Sequence, residues 1–121
     1  MDYYVNSVDQ LNEAIDDGAD FADYIRLQDG TDLTGVNVPR DLDFRIVKGG
    51  HVTVDSSLPA WFVFEHDCSL TVIWDGVYAL SFGEPYSGAS ASVRLVGWPE
   101  GGSELRALRE ILERYGVTVL V

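Results

Sequence analysis

Cations are scarce in this chain. Its 121 residues hold 8 lysines and arginines against 20 acids, a net charge of -12, and Lys48 is the only lysine. Nucleic-acid binding needs cations that displace counterions from phosphates, so this balance argues against direct contact with DNA or RNA. An anionic membrane is a poor partner for the same reason. Cysteine is nearly absent too. Cys68 stands alone, so no internal disulfide forms, and a reducing cytosol is the expected compartment. No apolar run approaches the ~20 residues of a membrane span. The opening Met1-Asp2-Tyr3-Tyr4 lacks a basic n-region and an apolar h-region, so no signal peptide is expected. Neither Gly49-Gly50 nor Gly101-Gly102 has the setting of a phosphate-binding loop.

What is present suits one domain with its own core. The chain is 46% hydrophobic and 12% aromatic, which excludes disorder. A domain of this size buries roughly two-thirds of its unfolded surface without help from metals or disulfides. The first periodic segment, Ser7 to Asp17, predicts a short helix. Ser7 caps it, Gln10 completes a capping box, and Gly18 stops it. Val8, Leu11 and Ile15 share its apolar face, while Asp9, Glu13, Asp16 and Asp17 point elsewhere. A second helix is expected from a cap at Ser103, with Leu105, Leu108, Leu112 and Tyr115 inward, Gly116 as its stop and a strand over Val117–Val121.

Short strands separated by turns are expected between the helices: Tyr24–Gln28, Gly35–Val38, Phe44–Val47, His51–Asp55, Trp61–Glu65, Ser69–Trp74, Val77–Phe82 and Ser92–Val96. They repeat. A shift of 18 sets Phe44 on Phe62, Ile46 on Phe64 and Val52-Thr53-Val54 on Leu70-Thr71-Val72, and a second shift of 18 sets Phe62 on Leu80 and Phe64 on Phe82. Leu27 meets Ile46 at 19, Val36 and Val38 meet Val52 and Val54 at 16, and Leu70 and Val72 meet Val93 and Leu95 at 23. Roughly four units of two strands, spanning 24–96, suit a solenoid whose stacked coils share a core. The pattern resembles a short right-handed parallel β-helix of the pectate-lyase-like kind. Val8 to Ile15 followed by Tyr24 to Thr31 looks like that superfamily's capping helix and first coil. The expected architecture is therefore mostly β: a capping helix over 5–18, a solenoid over 24–96, and a helix and strand over 103–121. An α+β domain with a mixed sheet is the alternative.

No residue set predicts catalysis, a metal or a cofactor. A strand would place His66 and Cys68 on one face, but free cysteine is usually buried. Zinc needs about four suitable ligands, and His51, His66 and Cys68 fall short. The lyase resemblance transfers no catalytic residue. Arg45, Lys48 and Arg94 are the mid-chain bases, and no calcium-loop spacing lies beside them. Trp98-Pro99 and Tyr86 are read either as exposed anchors or as packing beneath the second helix.

The acids are unevenly placed. Residues 1–43 carry eleven against Arg26 and Arg40, a net of -9, while the rest of the chain nets -3. A solvated face is one reading and a surface for a cationic partner is the other. Four coils ~4.8 Å apart, with their caps, span roughly 30 Å. Twelve net charges over that length is about one per 2.5 Å, against one per ~1.7 Å in duplex DNA. In size and acidity the chain is similar to phage and mobile-element DNA mimics such as anti-CRISPR and anti-restriction proteins. That resemblance implies a non-enzymatic inhibitor on the basic nucleic-acid-binding surface of a protein, for example a CRISPR effector subunit or a nuclease. The expected contact residues are Asp9, Glu13, Asp16, Asp17, Asp20, Asp23, Asp29 and Asp32. The alternatives are a toxin-neutralising immunity protein, a carbohydrate-binding or carbohydrate-cleaving β-helix, and a structural assembly module.

Overall fold

The computed structural model describes residues 1–121. In chain order the elements are β1 (Asp2–Val5), α1 (Val8–Asp16), β2 (Tyr24–Leu27), β3 (Asp43–Ile46), β4 (His51–Asp55), β5 (Trp61–Val63), β6 (Cys68–Ile73), β7 (Ser81–Phe82), β8 (Ala91–Val96), α2 (Ser103–Arg114) and β9 (Thr118–Leu120). The strands alternate between two sheets. Sheet A runs β1-β2-β3-β5-β7 and sheet B runs β4-β6-β8-β9. Every pairing is parallel, so the chain is a β-solenoid of about five turns.

The repeat read from the sequence is largely the register of these ladders. Phe44 pairs with Phe62, Val52 with Leu70, Val54 with Val72, Leu27 with Ile46, and Leu70 with Val93. Three expectations fail. Phe62 pairs with Phe82 and not with Leu80. The strand expected over Val77–Phe82 shortens to Ser81–Phe82, because the preceding residues form a corner around buried Leu80. Gly35–Val38 is no strand either. The second coil touches sheet B through one bridge, Asp32 to Thr53, ahead of that segment. Val36 and Val38 instead pack half-buried against the core from a loop.

Inward side chains fill a single core. From sheet A come Val5, Ile25, Leu27, Phe44, Ile46, Phe62, Phe64 and Phe82, and from sheet B Val52, Val54, Leu70, Val72, Val93 and Leu95. In-register stacking puts the Phe44 and Phe62 rings 5.3 Å apart and the Phe62 and Phe82 rings 5.9 Å apart. At the corners the chain must reverse within a few residues. Lys48-Gly49-Gly50 does so with Gly49 at φ 74, where a side chain would be strained.

The helices stand in the coil path. α1 connects β1 to β2, taking the place of a sheet-B strand in the first coil. α2 connects β8 to β9, taking the place of a sheet-A strand in the last. Leu11 and Ala14 of α1, and Leu105, Leu108 and Leu112 of α2, close the core. Ser7 caps α1 as expected, with its hydroxyl accepting from the Gln10 amide, while the Gln10 side chain accepts from Asn6 N–H. The expected cap of α2 is displaced. Gly102 occupies that position without a side-chain bond, and Ser103 is the first helical residue. β1 has no counterpart in the sequence reading, because α1 separates it from the repeat.

Phe62 is fully buried between Phe44 and Phe82. Phe62→Ala is expected to cost roughly 3–5 kcal/mol in urea unfolding. A loss under about 1 kcal/mol would mean the stack does not carry the core.

Candidate partner-binding face

The outward face of sheet A is where charge, aromatic rings and clefts meet. Pairing in register sets Arg26 beside Arg45 and Tyr24 beside Asp43. Two neighbouring guanidinium groups repel unless an anion lies between them. Glu65, just past β5, supplies it: one carboxylate oxygen accepts from Arg26 and the other from Arg45 Nη1 at 2.8 Å. Arg45 also donates to both oxygens of Asp43, at 2.7 and 3.0 Å, and Arg26 Nε donates to Asp2 at 3.1 Å. The Tyr24 ring lies 4.0 Å from the Arg45 guanidinium carbon. Arg45, Asp43 and Glu65 are nearly buried. Burial alone would raise the Glu65 carboxyl, but hydrogen bonding from Arg26 and the charges of both arginines outweigh it, and its pKa lies below the ordinary value.

This network corrects the charge count of the amino-terminal third. Asp43 belongs to the core of the network and not to a solvated face. Arg26 is held between two acids, Asp2 and Glu65. The other cation of that third, Arg40, donates to the carbonyls of Ala19 (2.8 Å) and Ile15 (3.1 Å) at the end of α1. Both basic side chains of residues 1–43 are thus consumed internally and the amino-terminal ammonium pairs with Asp23 at 3.1 Å, while the exposed acids of α1 stay unpaired. At the opposite end Glu110 and Glu113 of α2 pair with Arg114 and Arg109, each at 3.3 Å. The excess charge is therefore concentrated in the first coil and not spread evenly along the solenoid.

Of the eight acids expected to face a partner, Asp9, Glu13, Asp16, Asp17, Asp20, Asp29 and Asp32 are exposed and Asp23 is half-buried. They are not one kind of residue. Asp17 accepts from the Tyr3 hydroxyl (2.8 Å), Asp20 from Ala22 N–H (2.9 Å) and Asp23 from Asp20 N–H (3.1 Å). Asp29 accepts from His51 N–H (2.9 Å) and Asp32 from the amide and hydroxyl of Thr34. The bonds at Asp20, Asp23 and Asp32 shape turns and those at Asp17 and Asp29 tie separate segments together; backbone hydrogen bonds, joined at Asp23 by the Met1 ammonium at 3.1 Å, hold Asp32 and Asp23 below the ordinary carboxylate pKa. Asp9, Glu13 and Asp16 on α1 face solvent without such duties. α1 and its loop hold six of the eight, while Asp29 and Asp32 sit a coil further along.

Sequence reasoning did not place Tyr4 beside these acids, because it found no strand ahead of α1. Tyr4 is exposed and walls two open clefts. One, of about 380 Å³, lies against Gln10, Glu13 and Asp17 of α1. The other, of about 430 Å³, lies against Asp2, Arg26, Glu65 and Tyr86. Tyr86 is exposed, as one reading of it required, whereas Trp98 is buried, with its ring 4.9 Å from that of Trp74 and its indole N–H donating to Val72 O. His66 sits exposed in a bend and Cys68 opens β6 with its thiol inside, so the two share no strand face. Burial pushes the Cys68 thiol up to about 12, leaving it protonated at neutral pH. No three carboxylate, imidazole or thiol groups converge as metal ligands, and no helix is long and apolar enough to cross a membrane. Comparison with protein-family models, curated proteins and solved structures finds no match to this chain.

Because the folded pKa of Glu65 is lowered, its stabilisation is complete above the unfolded value of ~4.3 and is lost as pH falls through the folded value. Glu65→Gln is expected to lower the urea midpoint at pH 7, with the gap to the native chain narrowing below pH ~4. A gap that stays constant from neutral to acid pH would mean the ion pairs contribute nothing.

Proposed function

We propose that this protein is a non-enzymatic inhibitor that lays its acidic first coil on the basic nucleic-acid-binding surface of a partner protein, as a DNA mimic does. One observation carries the reading: both basic side chains of residues 1–43 are spent on internal acceptors and the Met1 ammonium on Asp23, while Asp9, Glu13 and Asp16 stand exposed without a partner. A face kept solely for solubility gains nothing from locking away its own cations. A face meant to meet arginines and lysines does, since internal cations would compete for its carboxylates. Asp17, Asp20, Asp29 and Asp32 extend the same negative field from positions fixed by their hydrogen bonds, and Asp23, paired with the Met1 ammonium, adds less to it. Such a field raises the association rate at low salt and fades as salt screens it. A CRISPR effector subunit or a nuclease has the required basic surface. Tyr4, exposed beside Glu13, supplies the aromatic contact that interface centres favour.

The immobilised protein should capture from host lysate, at low salt, a nucleic-acid-binding complex that is released by added duplex DNA or by high salt. Glu13→Lys with Asp16→Lys is expected to weaken that capture roughly tenfold. Its melting temperature should hold, since a lysine at Asp16 meets the negative end of the α1 dipole. Capture that ignores salt, DNA and this double change would refute the proposal.

A further inference from the structure

A separate cleft lies at the side of sheet A where the strands begin. It measures about 260 Å³, and Phe21 and Trp61 stand at its walls with Asp41 at its rim. Ala60, Ala79 and Ser81 line it with little bulk. Phe21 is 52% exposed, in the loop after α1, although its size favours burial. Trp61 is held by its surroundings: a Cβ built on Gly83 would lie 2.4 Å from the indole Cζ2, so the ring rests directly on the glycine backbone. Asp41 is exposed and enters none of the ion pairs of the molecule. Its chain neighbour Arg40 is turned away, bound to the carbonyls of Ala19 and Ile15. The cleft therefore offers two aromatic side chains and one unneutralised carboxylate, and no cation lines it.

We propose that this cleft receives a single arginine side chain of the partner protein. The flat guanidinium is drawn to the π-faces of Phe21 and Trp61, and Asp41 accepts its N–H groups. The apolar stem of the side chain covers Ala60 and Ala79. A water-exposed carboxylate alone gains little from a cation. Two rings that exclude water on either side strengthen the attraction, and a tryptophan already locked against Gly83 loses little freedom on binding. The inference rests on the proposed function for its partner, but the cleft itself is testable without one.

The probe is Nα-acetyl-arginine amide, with the neutral isostere Nα-acetyl-citrulline amide as control. The readout is the three indole N–H resonances. Trp74 and Trp98 stack on one another in a separate cluster and serve as internal references. The arginine compound should shift the Trp61 resonance to saturation and leave the other two in place, and the citrulline compound should not. Phe21→Ala and Asp41→Asn should each weaken that binding roughly tenfold with the Trp74 and Trp98 resonances unmoved, which shows the fold intact. A Trp61 resonance that stays still, or that moves equally with citrulline, overturns the proposal. Should Glu13→Lys with Asp16→Lys abolish capture of a partner while Phe21→Ala and Asp41→Asn leave it untouched, the cleft proposal fails and the proposed function stands. Saturable arginine binding with no salt-sensitive partner in the lysate supports the cleft and counts against that function.

Discussion

Everything in this molecule depends on the parallel register that stacks one coil on the next. No single coil can bury its inward side chains, and none can satisfy the backbone groups of its strands. When the coils align, Phe44, Phe62 and Phe82 form one column and the valines and leucines of sheet B form another, and the same alignment closes the hydrogen-bond ladders. The ends of such a stack have no further coil. Here the chain substitutes a helix for one strand in the first coil and one in the last, so the apolar faces of α1 and α2 complete the core while their polar faces meet water.

Register also decides what the acids do. Between the strands the backbone turns too sharply to pair all its N–H groups with carbonyls, and aspartates fill the gap. Asp29 accepts from His51 N–H, Asp55 from Gly35, Asp67 from Ser90 and Asp75 from Ser57, each bond joining neighbouring coils. Asp75 also takes the hydroxyl of buried Ser56. Part of the charge that looks extravagant in the composition is therefore structural. The remainder, chiefly on α1, has no such duty, and that division is what makes the first coil the candidate face.

The outer surface of sheet A shows the same logic. Stacking Arg26 on Arg45 would be repulsive in isolation, so the sheet tolerates it only because Glu65 bridges the pair and Asp2 and Asp43 complete it. All four side chains of β3 are therefore buried, Phe44 and Ile46 in the core and Asp43 and Arg45 in this network, on both faces of a strand whose sequence alternates polar and apolar. The cleft of Phe21, Asp41 and Trp61 sits on the same sheet, where successive coils bring distant residues alongside one another.

The sequence by itself determined the class of the fold and the sign of its charge. Periods of two and 3.6, glycine stops and the repeat near 18 residues are local signals, and local signals survive without a structure. They located α1, β4, β6 and β8 nearly to the residue and gave most of the register. Tertiary structure decided the rest. The length of each corner set β7 against Phe62, which a fixed shift mistook by two residues. Contacts between coils turned Asp43 and Arg45 from surface charges into buried partners, and gave Asp29 the His51 amide of the neighbouring coil to hold. The aromatic cleft was invisible in the chain because its residues come from separate coils. Only the stack makes them neighbours. Side-chain periodicity is a property of one segment, whereas burial of an outward-facing group depends on what the next coil brings over it.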